Sequence, residues 1–285
     1  MRTYSIVFLD IDGTLLDSRH QVMPCTQNRL QNLHRQGVPI VLCSARPPEG
    51  VNLVARQIGV QGPIACYNGG LIFDEHSTIL RDVGIPIRLA MDFKRFVSER
   101  YPDLAVSAYL YNVWLAEDPQ QALIAREAEI SGCTPLKGTL EQVASAASHV
   151  HKLLCIGDAM RIRALQKEIG QYFPQLMPLR SKATYLEILP QESTKGSAAQ
   201  VLLERYGLKP AQAVAFGDSD VDLDMLQYCG FGVAMGNAPR QVKEAADYVT
   251  ASNDEEGVYI ALNSLRLKAP GGKKNRKSAV STVPL

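Results

Sequence analysis

Long apolar runs, paired cysteines and a large net charge are all missing from this sequence of 285 residues. No apolar run approaches the roughly 18 residues that a membrane-spanning helix needs, so the sequence contains no membrane segment. The six cysteines include no CxxC pair, and we expect buried free thiols rather than a zinc site or a disulfide framework. The formal net charge of +1 gives no reason to expect nucleic acid or a membrane surface as a partner.

The start of the chain also lacks the features of an export signal. A strand-like run, YSIVFLD, begins at Tyr4 and leaves no room for the charged and apolar regions of a signal peptide. Together with the unpaired cysteines, this predicts a cytoplasmic protein. The sequence specifies no oligomeric state.

The nearly balanced charge conceals a basic C-terminal segment, RLKAPGGKKNRKSAVSTVPL, which begins at Arg266. Six of the 30 basic residues and none of the 29 acidic residues lie in it, so the rest of the chain is acidic overall. Its Pro, Gly, Ser and Lys content cannot form an apolar core. We therefore predict a disordered basic tail over residues 268–285, and a solvated end explains it better than a nucleic-acid contact.

Short apolar strands alternate with helices at both ends of the chain. SIVFLD, VPIVLCS and AVAFGD are apolar throughout, which indicates parallel strands covered by helices on both sides. The middle of the chain contains alternating segments such as AVSAYLYNVWLAE, which are typical of an antiparallel sheet. We predict an α/β fold with a Rossmann-like parallel-sheet core over residues 1–81 and 190–267, and with an α+β cap domain inserted at 82–189.

Polar residues follow three strands of the predicted core at the point where each strand ends. They are Asp10 after SIVFL, Ser44 after VPIVLC and Asp218 after AVAFG. Ligands of open parallel sheets bind beyond the carboxyl ends of the strands, so we expect these residues to meet in one crevice. Asp12 adds a second carboxylate. Lys195 lies in the first turn of a predicted helix, where its positive charge is unfavourable because it opposes the helix dipole. We therefore expect an anion near Lys195.

The types of these side chains indicate a metal-dependent phosphate site. Oxygen ligands suit a hard divalent ion, above all Mg²⁺, and a hydroxyl with a lysine beside it suits a phosphate group. A calcium-binding loop starting at Asp10 is excluded, because Leu15 and Gln21 stand where such a loop needs glycine and glutamate. A sugar-nucleotide DxD pair would leave Lys195 and Asp218 without a role.

Four segments, in this order, resemble the signature motifs of the haloacid dehalogenase superfamily of aspartate-dependent phosphohydrolases. They are DIDGT from Asp10, VLCSARP around Ser44, STKGSA around Lys195 and GDSDVD around Asp218. The long insert between the second and third segments, together with YNGG, GNA and DEEGV, resembles the Cof-type subgroup. The resemblance covers roughly residues 4–265 and implies a Mg²⁺-dependent phosphatase whose inserted domain caps the core.

The resemblance also implies a role for each motif residue. Asp10 would be the nucleophile that forms a phospho-aspartate, and the Asp12 side chain would be the general acid and then the base. The phosphate oxygens would be held by Ser44, Lys195, Gly13 and Thr14. The metal would be held by Asp10, the backbone carbonyl of Asp12, Asp218, and Asp222 as a ligand or as support for one.

One motif position departs from the family pattern. The family commonly has Asn–Asp where this chain has Val221 and Asp222, and valine can neither donate to a phosphate nor orient the nucleophile. A lost hydrogen bond to a charged group costs about 1.5–3 kcal/mol. A catalytically weak phosphate-binding or regulatory protein therefore stays open, as does a phosphomutase. The leading prediction is a phosphatase for a small phosphorylated metabolite, such as a sugar phosphate.

Three further charged residues lie within or next to the motifs. Arg46, beside Pro47 at the end of the second motif, is a candidate for substrate contact. Asp220 and Asp224 are interpreted as the acidic first turn of a helix, where negative charge is favourable.

Overall fold

A computed structural model describes residues 2–131 and 133–271 of the chain. These residues divide into two compact units, the first extending to Asp82 and resuming at Thr194, the second spanning Val83–Ser193. Most of the predicted basic tail, 272–285, lies outside the described residues. No helix within the described ranges is both long enough and apolar enough to cross a bilayer.

The helices and strands are numbered here in chain order. The first unit opens with β1 (Thr3–Tyr4), β2 (Ile6–Asp10), α1 (Pro24–Arg35), β3 (Ile40–Cys43), α2 (Pro48–Ile58), β4 (Ile64–Cys66), β5 (Leu71–Phe73) and β6 (Ile79–Asp82). The second unit contains β7 (Ile85–Pro86), α3 (Ile87–Arg100), β8 (Ala105–Leu110), β9 (Val113–Ala116), α4 (Ala122–Ser131), β10 (Leu136–Lys137), α5 (Leu140–Val143), β11 (His149–Val150), β12 (Lys152–Ile156), α6 (Ala159–Tyr172), β13 (Leu176–Lys182) and β14 (Tyr185–Pro190). The first unit resumes with α7 (Lys195–Tyr206), β15 (Ala213–Gly217), α8 (Leu223–Tyr228), β16 (Phe231–Ala234), α9 (Arg240–Ala245), β17 (Tyr248–Val249), α10 (Gly257–Ser264) and β18 (Arg266–Leu267).

The main sheet of the first unit confirms the predicted α/β core. Its strand order is β17-β16-β15-β2-β3-β4-β5-β6. The strands from β17 to β4 are parallel, and β5 and β6 add an antiparallel edge. The central strands are buried along their whole length, because their side chains are apolar on both faces. Leu202 of α7 and Met225 of α8 belong to the same buried cluster as Phe8 and Ala215 of the sheet.

The position of β2 in this sheet determines where a ligand can bind. The chain continues from β2 to β3 on one side, and after the insert it returns to pair β15 on the other side. The strand order therefore reverses beside β2, and the crevice at such a reversal is where open parallel sheets bind their ligands. Asp10 ends β2 at this point.

The second unit is built on its own sheet, which confirms the predicted α+β insert. The strand order is β10-β9-β8-β12-β14-β13, and every pair is antiparallel except β9 with β10. Apolar side chains of α3 and α6, including Phe93 and Ile162, pack with Leu153 and Ile188 of the sheet in one buried cluster.

Arg266 and Leu267, which precede the predicted tail, form a short strand that pairs in parallel with Thr3 and Tyr4. One sequence expectation, the burial of the cysteines, needs adjustment. No disulfide joins any of the six cysteines, all of which lie in the described ranges; Cys25 and Cys133 are exposed, while the other four are buried as expected. The spacing of the cysteines does not distinguish the exposed pair from the buried four. Cys25 lies in the first turn of α1 and Cys133 follows the end of α4, whereas a cysteine inside an apolar strand is buried.

Candidate active site

Three carboxylates converge at the carboxyl ends of β2 and β15. Asp10 is the last residue of β2, Asp218 directly follows β15, and Asp222 ends a short 3₁₀ turn that begins at Asp220. The sheet register pairs Leu9 with Phe216, which places the two strand ends side by side. Each carboxylate offers an oxygen within 4.8 Å of the others, so the three could hold a metal ion.

Lys195 lies among these carboxylates and is almost completely buried. Its Nζ is 2.5 Å from Oδ1 of Asp10 and 2.5 Å from Oδ1 of Asp222, and its side chain is 2 % exposed. The residue is the first of α7, and the Thr194 side chain caps the helix by accepting from the N–H of Ser197. A lysine in this position is tolerated because two anions face it.

Asp222 is held from several sides. Its Oδ2 accepts hydrogen bonds from the N–H groups of Asp218 and Ser219 and from the Ser219 hydroxyl, at 3.1, 3.0 and 2.9 Å. Its Oδ1 accepts from Lys195. Both oxygens of this fully buried carboxylate therefore have hydrogen-bond partners, as buried polar atoms normally do.

The electrostatics of the cluster favour an additional cation. The pKa of Asp10 is raised to about 8, mainly by burial, with Lys195 opposing the rise and Asp222 and Asp218 adding to it. The pKa of Asp218 is raised to about 6 by burial and by the charge of Asp222. Burial lowers the pKa of Lys195, but Asp10 and Asp222 raise it more, so the net pKa lies above its ordinary value. One ammonium group is not enough to balance three carboxylates.

An unsatisfied atom in the cluster fits a bound metal. Oδ2 of Asp10 is buried and has no hydrogen-bond partner among the described residues. Buried polar atoms normally find a partner, and a carboxylate oxygen left over beside two further carboxylates has the chemistry of a hard divalent cation site. The residues present therefore fit the metal that the sequence predicts.

Gly13 and Thr14 lie directly against Asp218. Gly13 adopts φ +83°, and a Cβ on it would collide with Oδ2 of Asp218, so only glycine fits this turn. The Thr14 hydroxyl donates to Oδ1 of Asp218 at 3.4 Å. The family resemblance assigns the backbone N–H groups of both residues to phosphate, and the contact of the Thr14 hydroxyl with the carboxylate does not involve them. The backbone N–H of Thr14 is the group that remains for an anion.

The Asp12 side chain does not join the buried cluster. It is 49 % exposed and pairs with Arg46, whose Nε and Nη2 donate to its two oxygens at 2.9 and 2.5 Å. The backbone N–H of Arg46 donates to the buried Ser44 hydroxyl at 3.2 Å, so that hydroxyl still has its hydrogen to offer. Arg46, singled out beside Ser44, therefore contacts an acid of the first motif.

A left-handed turn packs between the second and third motifs. Tyr67, Asn68 and Gly69 have φ of +51°, +52° and +94°, and all three are buried. The N–H of Asn68 donates to the Ser44 carbonyl at 2.9 Å, and Gly69 lies so close to the Thr194 carbonyl that a Cβ would collide with it. Tyrosine has no preference for positive φ, so nothing in the sequence indicates the left-handed backbone at Tyr67.

The residues around Val221 differ in what they contact. Val221 is half-buried within the 3₁₀ turn, and Asp220 hydrogen-bonds the exposed Gln241. Asp224 lies in the first turn of α8 as predicted, but its Oδ2 also accepts from the N–H of Gly196 at 2.8 Å. Asp224 therefore caps the N-terminus of α7 next to Lys195, although it belongs to a different helix. The position of Asp224 in the sequence did not reveal this contact.

Known proteins resemble this chain over nearly its whole length. The family of haloacid dehalogenase-like hydrolases matches residues 7–262. A relative from Haemophilus influenzae is 34 % identical over 259 residues, covering 91 % of this chain and 97 % of that protein. An HMP-PP phosphatase from Serratia proteamaculans is 28 % identical over 84 % of this chain and 86 % of its own length. A crystal structure of a haloacid dehalogenase-like hydrolase from Bacteroides thetaiotaomicron has a TM-score of 0.82 at 29 % identity, covering 92 % of this chain and 99 % of that one.

Proposed function

The chain belongs to the haloacid dehalogenase-like hydrolases and is a phosphatase of their Cof-type subgroup, and we propose that it hydrolyses a small phosphorylated metabolite with Mg²⁺ through a phospho-aspartate at Asp10. The observation that carries this proposal is the buried Lys195, which holds Asp10 and Asp222 at 2.5 Å each beside Asp218. A phosphate-binding protein would need positive charge at its site, whereas three carboxylates with one lysine suit a metal-dependent transfer.

Asp10 is the proposed nucleophile. Lys195 favours its ionised form by donating to Oδ1, while Oδ2 has no hydrogen-bond partner among the described residues. In the first step a carboxylate oxygen of Asp10 bonds to phosphorus, and the bond from phosphorus to the substrate oxygen breaks. In the second step water attacks the phospho-aspartate, phosphate leaves, and the carboxylate is restored.

Asp12 is the proposed general acid and base. It gives a proton to the leaving oxygen in the first step and accepts one from the attacking water in the second, so it ends each cycle unchanged. Its side chain is exposed and held in place by Arg46, which leaves the carboxyl group accessible to a substrate. Arg46 also places positive charge beside Ser44, where an anionic substrate needs it.

The phosphate would be held by Ser44, Lys195 and the backbone of Gly13 and Thr14. The Ser44 hydroxyl accepts from Arg46 and can donate to a phosphate oxygen. Mg²⁺, held by Asp10, Asp218 and the backbone carbonyl of Asp12, would neutralise charge on the transferring group. We propose that Asp222 supports these ligands, because its Oδ1 accepts from the Lys195 ammonium at 2.5 Å and its Oδ2 already accepts three hydrogen bonds.

The substrate class is supported by the relatives and the insert. One relative is named an HMP-PP phosphatase, which supports a small phosphorylated metabolite here as well. A sugar phosphate is an equally suitable member of that class. We propose that the α+β insert caps the site and selects the leaving group, because the proposed roles of the four motifs involve only the phosphate, the metal and proton transfer.

The test is phosphate release from p-nitrophenyl phosphate and from a panel of phosphorylated metabolites. The protein is first stripped with EDTA and then titrated with Mg²⁺, with Asp10→Asn as the matched inactive control. We expect release only with a divalent cation and no release by the variant. Phosphate binding without turnover on any substrate would indicate a binding protein instead, and isomerisation dependent on a bisphosphate would indicate a phosphomutase. Full turnover in excess EDTA would contradict the proposed requirement for a divalent cation.

A further inference from the structure

An asparagine outside the four motifs contacts the carboxylate cluster. Asn237 stands in GNA, just after β16, and its side-chain Nδ2 donates to the backbone carbonyl of Gly13 at 2.8 Å. The same Nδ2 is 3.3 Å from Oδ2 of Asp218. One amide group thus contacts the glycine turn of the first motif and a carboxylate of the fourth.

The orientation of this amide is fixed from its other side. Its Oδ1 accepts from the backbone N–H of Asn253 at 3.1 Å, so the NH₂ group must face Gly13 and Asp218. The side chain of Asn253 in turn donates to the Leu16 carbonyl at 2.9 Å. Two asparagines therefore connect the loop before α10 to the loop after β2.

Asp218 is consequently held on both of its oxygens. The Thr14 hydroxyl donates to Oδ1, and Asn237 donates to Oδ2. Both donors are uncharged, so they fix the direction of the carboxylate without neutralising the charge that a cation would use. The missing side chain of Gly13 provides the space that the Asp218 carboxylate occupies.

We propose that Asn237 is a positioning residue for the metal ligand Asp218, an inference that rests on the proposed Mg²⁺ site. It holds the carboxylate in the direction required for the cation, and it keeps the Gly13 turn against that carboxylate. The effect on the reaction is indirect and passes through metal affinity. At saturating Mg²⁺ the rate of the chemical step then depends little on Asn237.

Asn237→Ala and Asn253→Ala form a matched pair for the test. The first removes the donor to Asp218. The second removes the bond to Leu16 but keeps the backbone N–H that orients Asn237, so it loosens the same pair of loops without changing the contact to Asp218. Mg²⁺ binding is measured by isothermal titration calorimetry on the stripped full chain, and thermal midpoints are recorded in EDTA.

We expect Asn237→Ala to raise the Kd for Mg²⁺ about fivefold, the value of one ordinary hydrogen bond. Its kcat at saturating Mg²⁺ should stay within about twofold of the wild type, while Asn253→Ala should change the Kd by less than about twofold. Equal Mg²⁺ affinity for the wild type and Asn237→Ala would overturn the inference. Equal weakening by both variants would also overturn it, because general loosening of the loops would then explain the effect. Absence of Mg²⁺ binding by the wild type would instead contradict the proposed function.

Discussion

Replacing Lys195 with methionine should both destabilise the protein and remove most of its activity. The Nζ of Lys195 donates at 2.5 Å to Asp10 and to Asp222, and the side chain is 2 % exposed. Methionine has a similar length and no charge, so the packing changes little. The perturbation is therefore the loss of one buried positive charge between two buried carboxylates.

The size of the effect follows from this burial. Removing one partner from a buried ion pair costs about 3–5 kcal/mol, because the remaining charge stays in a medium that solvates it poorly. Two carboxylates lose their partner here, but proton uptake by one of them limits the total. We expect the free energy of unfolding to fall by about 3–5 kcal/mol and kcat/KM to fall at least about 10²-fold.

The loss of stability should grow with pH in the metal-free protein. Lys195 lowers the folded-state pKa of Asp10, about 8, and of Asp218, about 6, so its removal moves both pKa values upward. A carboxyl group with a raised folded pKa binds more protons when folded, and its contribution to stability falls as pH rises toward that pKa. In the wild type this loss of stability ends once the pH exceeds the pKa values of Asp218 and Asp10, about 6 and about 8. In the variant both pKa values are higher, so its stability continues to fall at higher pH. The difference is thus larger at pH 9 than at pH 5.5.

The assay is urea unfolding in EDTA at these two pH values, followed by phosphatase kinetics with saturating Mg²⁺. Lys152→Met is the control, because Lys152 is also buried and pairs with Glu187 at 3.3 Å, but in the inserted unit. It should lower stability and keep most activity on p-nitrophenyl phosphate. A Lys195→Met protein with near wild-type stability and turnover would refute the reasoning, as would a stability loss that shrinks with rising pH.

Substitutions at four further residues, Asp10, Asp12, Val221 and Asn68, test other parts of the reasoning. Asp10→Asn should abolish the phospho-enzyme detected by mass spectrometry, whereas Asp12→Asn should lose about 10²–10⁴-fold in turnover but keep part of the burst with a good leaving group; near wild-type turnover by Asp10→Asn would contradict the mechanism. Val221→Asn should raise kcat/KM by up to about tenfold, the value of one restored hydrogen bond; a fall with the fold intact would mean that valine is fitted to this enzyme's own substrate. Asn68→Gly should leave the free energy of unfolding within about 1 kcal/mol, while Asn68→Ala should lower it by about 1–2 kcal/mol because of its left-handed backbone; equal values for the two would exclude backbone strain as the reason.

The core of the site was predictable because its signals are local. Asp10, Ser44 and Asp218 each follow an apolar run, and a buried parallel strand must end where such a run ends. Sheet register then brings strand ends together without further information, as the pairing of Leu9 with Phe216 does here. The meeting of Asp10 with Asp218 and the α/β fold therefore follow from periodicity, composition and one general rule of sheet topology, whereas Asp222 was indicated only by the family resemblance.

Other contacts could not be predicted, because they depend on how distant loops meet. Nothing in the spacing of Asp12 and Arg46 indicates that they pair, and nothing in GNA indicates that Asn237 contacts Gly13. Tyr67 even contradicts its local preference, since a bulky residue avoids positive φ unless surrounding structure imposes it. Tertiary packing determines these contacts and this backbone angle, and the spacing of residues in one sequence does not reveal that packing.

The hydrogen bonds of Asp222 show what the valine at position 221, in place of the family's asparagine, changes in the site. Asp222 is fixed by Lys195 on one oxygen and by the backbone of Asp218 and Ser219 on the other, and none of these bonds requires the side chain at position 221. The missing amide can therefore weaken a contact to phosphate while the carboxylates and the lysine stay in place. A protein that had given up catalysis would have no need for a buried lysine between two buried acids, which is costly to maintain without a function. We therefore infer that valine at position 221 alters the rate of the reaction and does not abolish catalysis. The kcat/KM of Val221→Asn distinguishes these two alternatives.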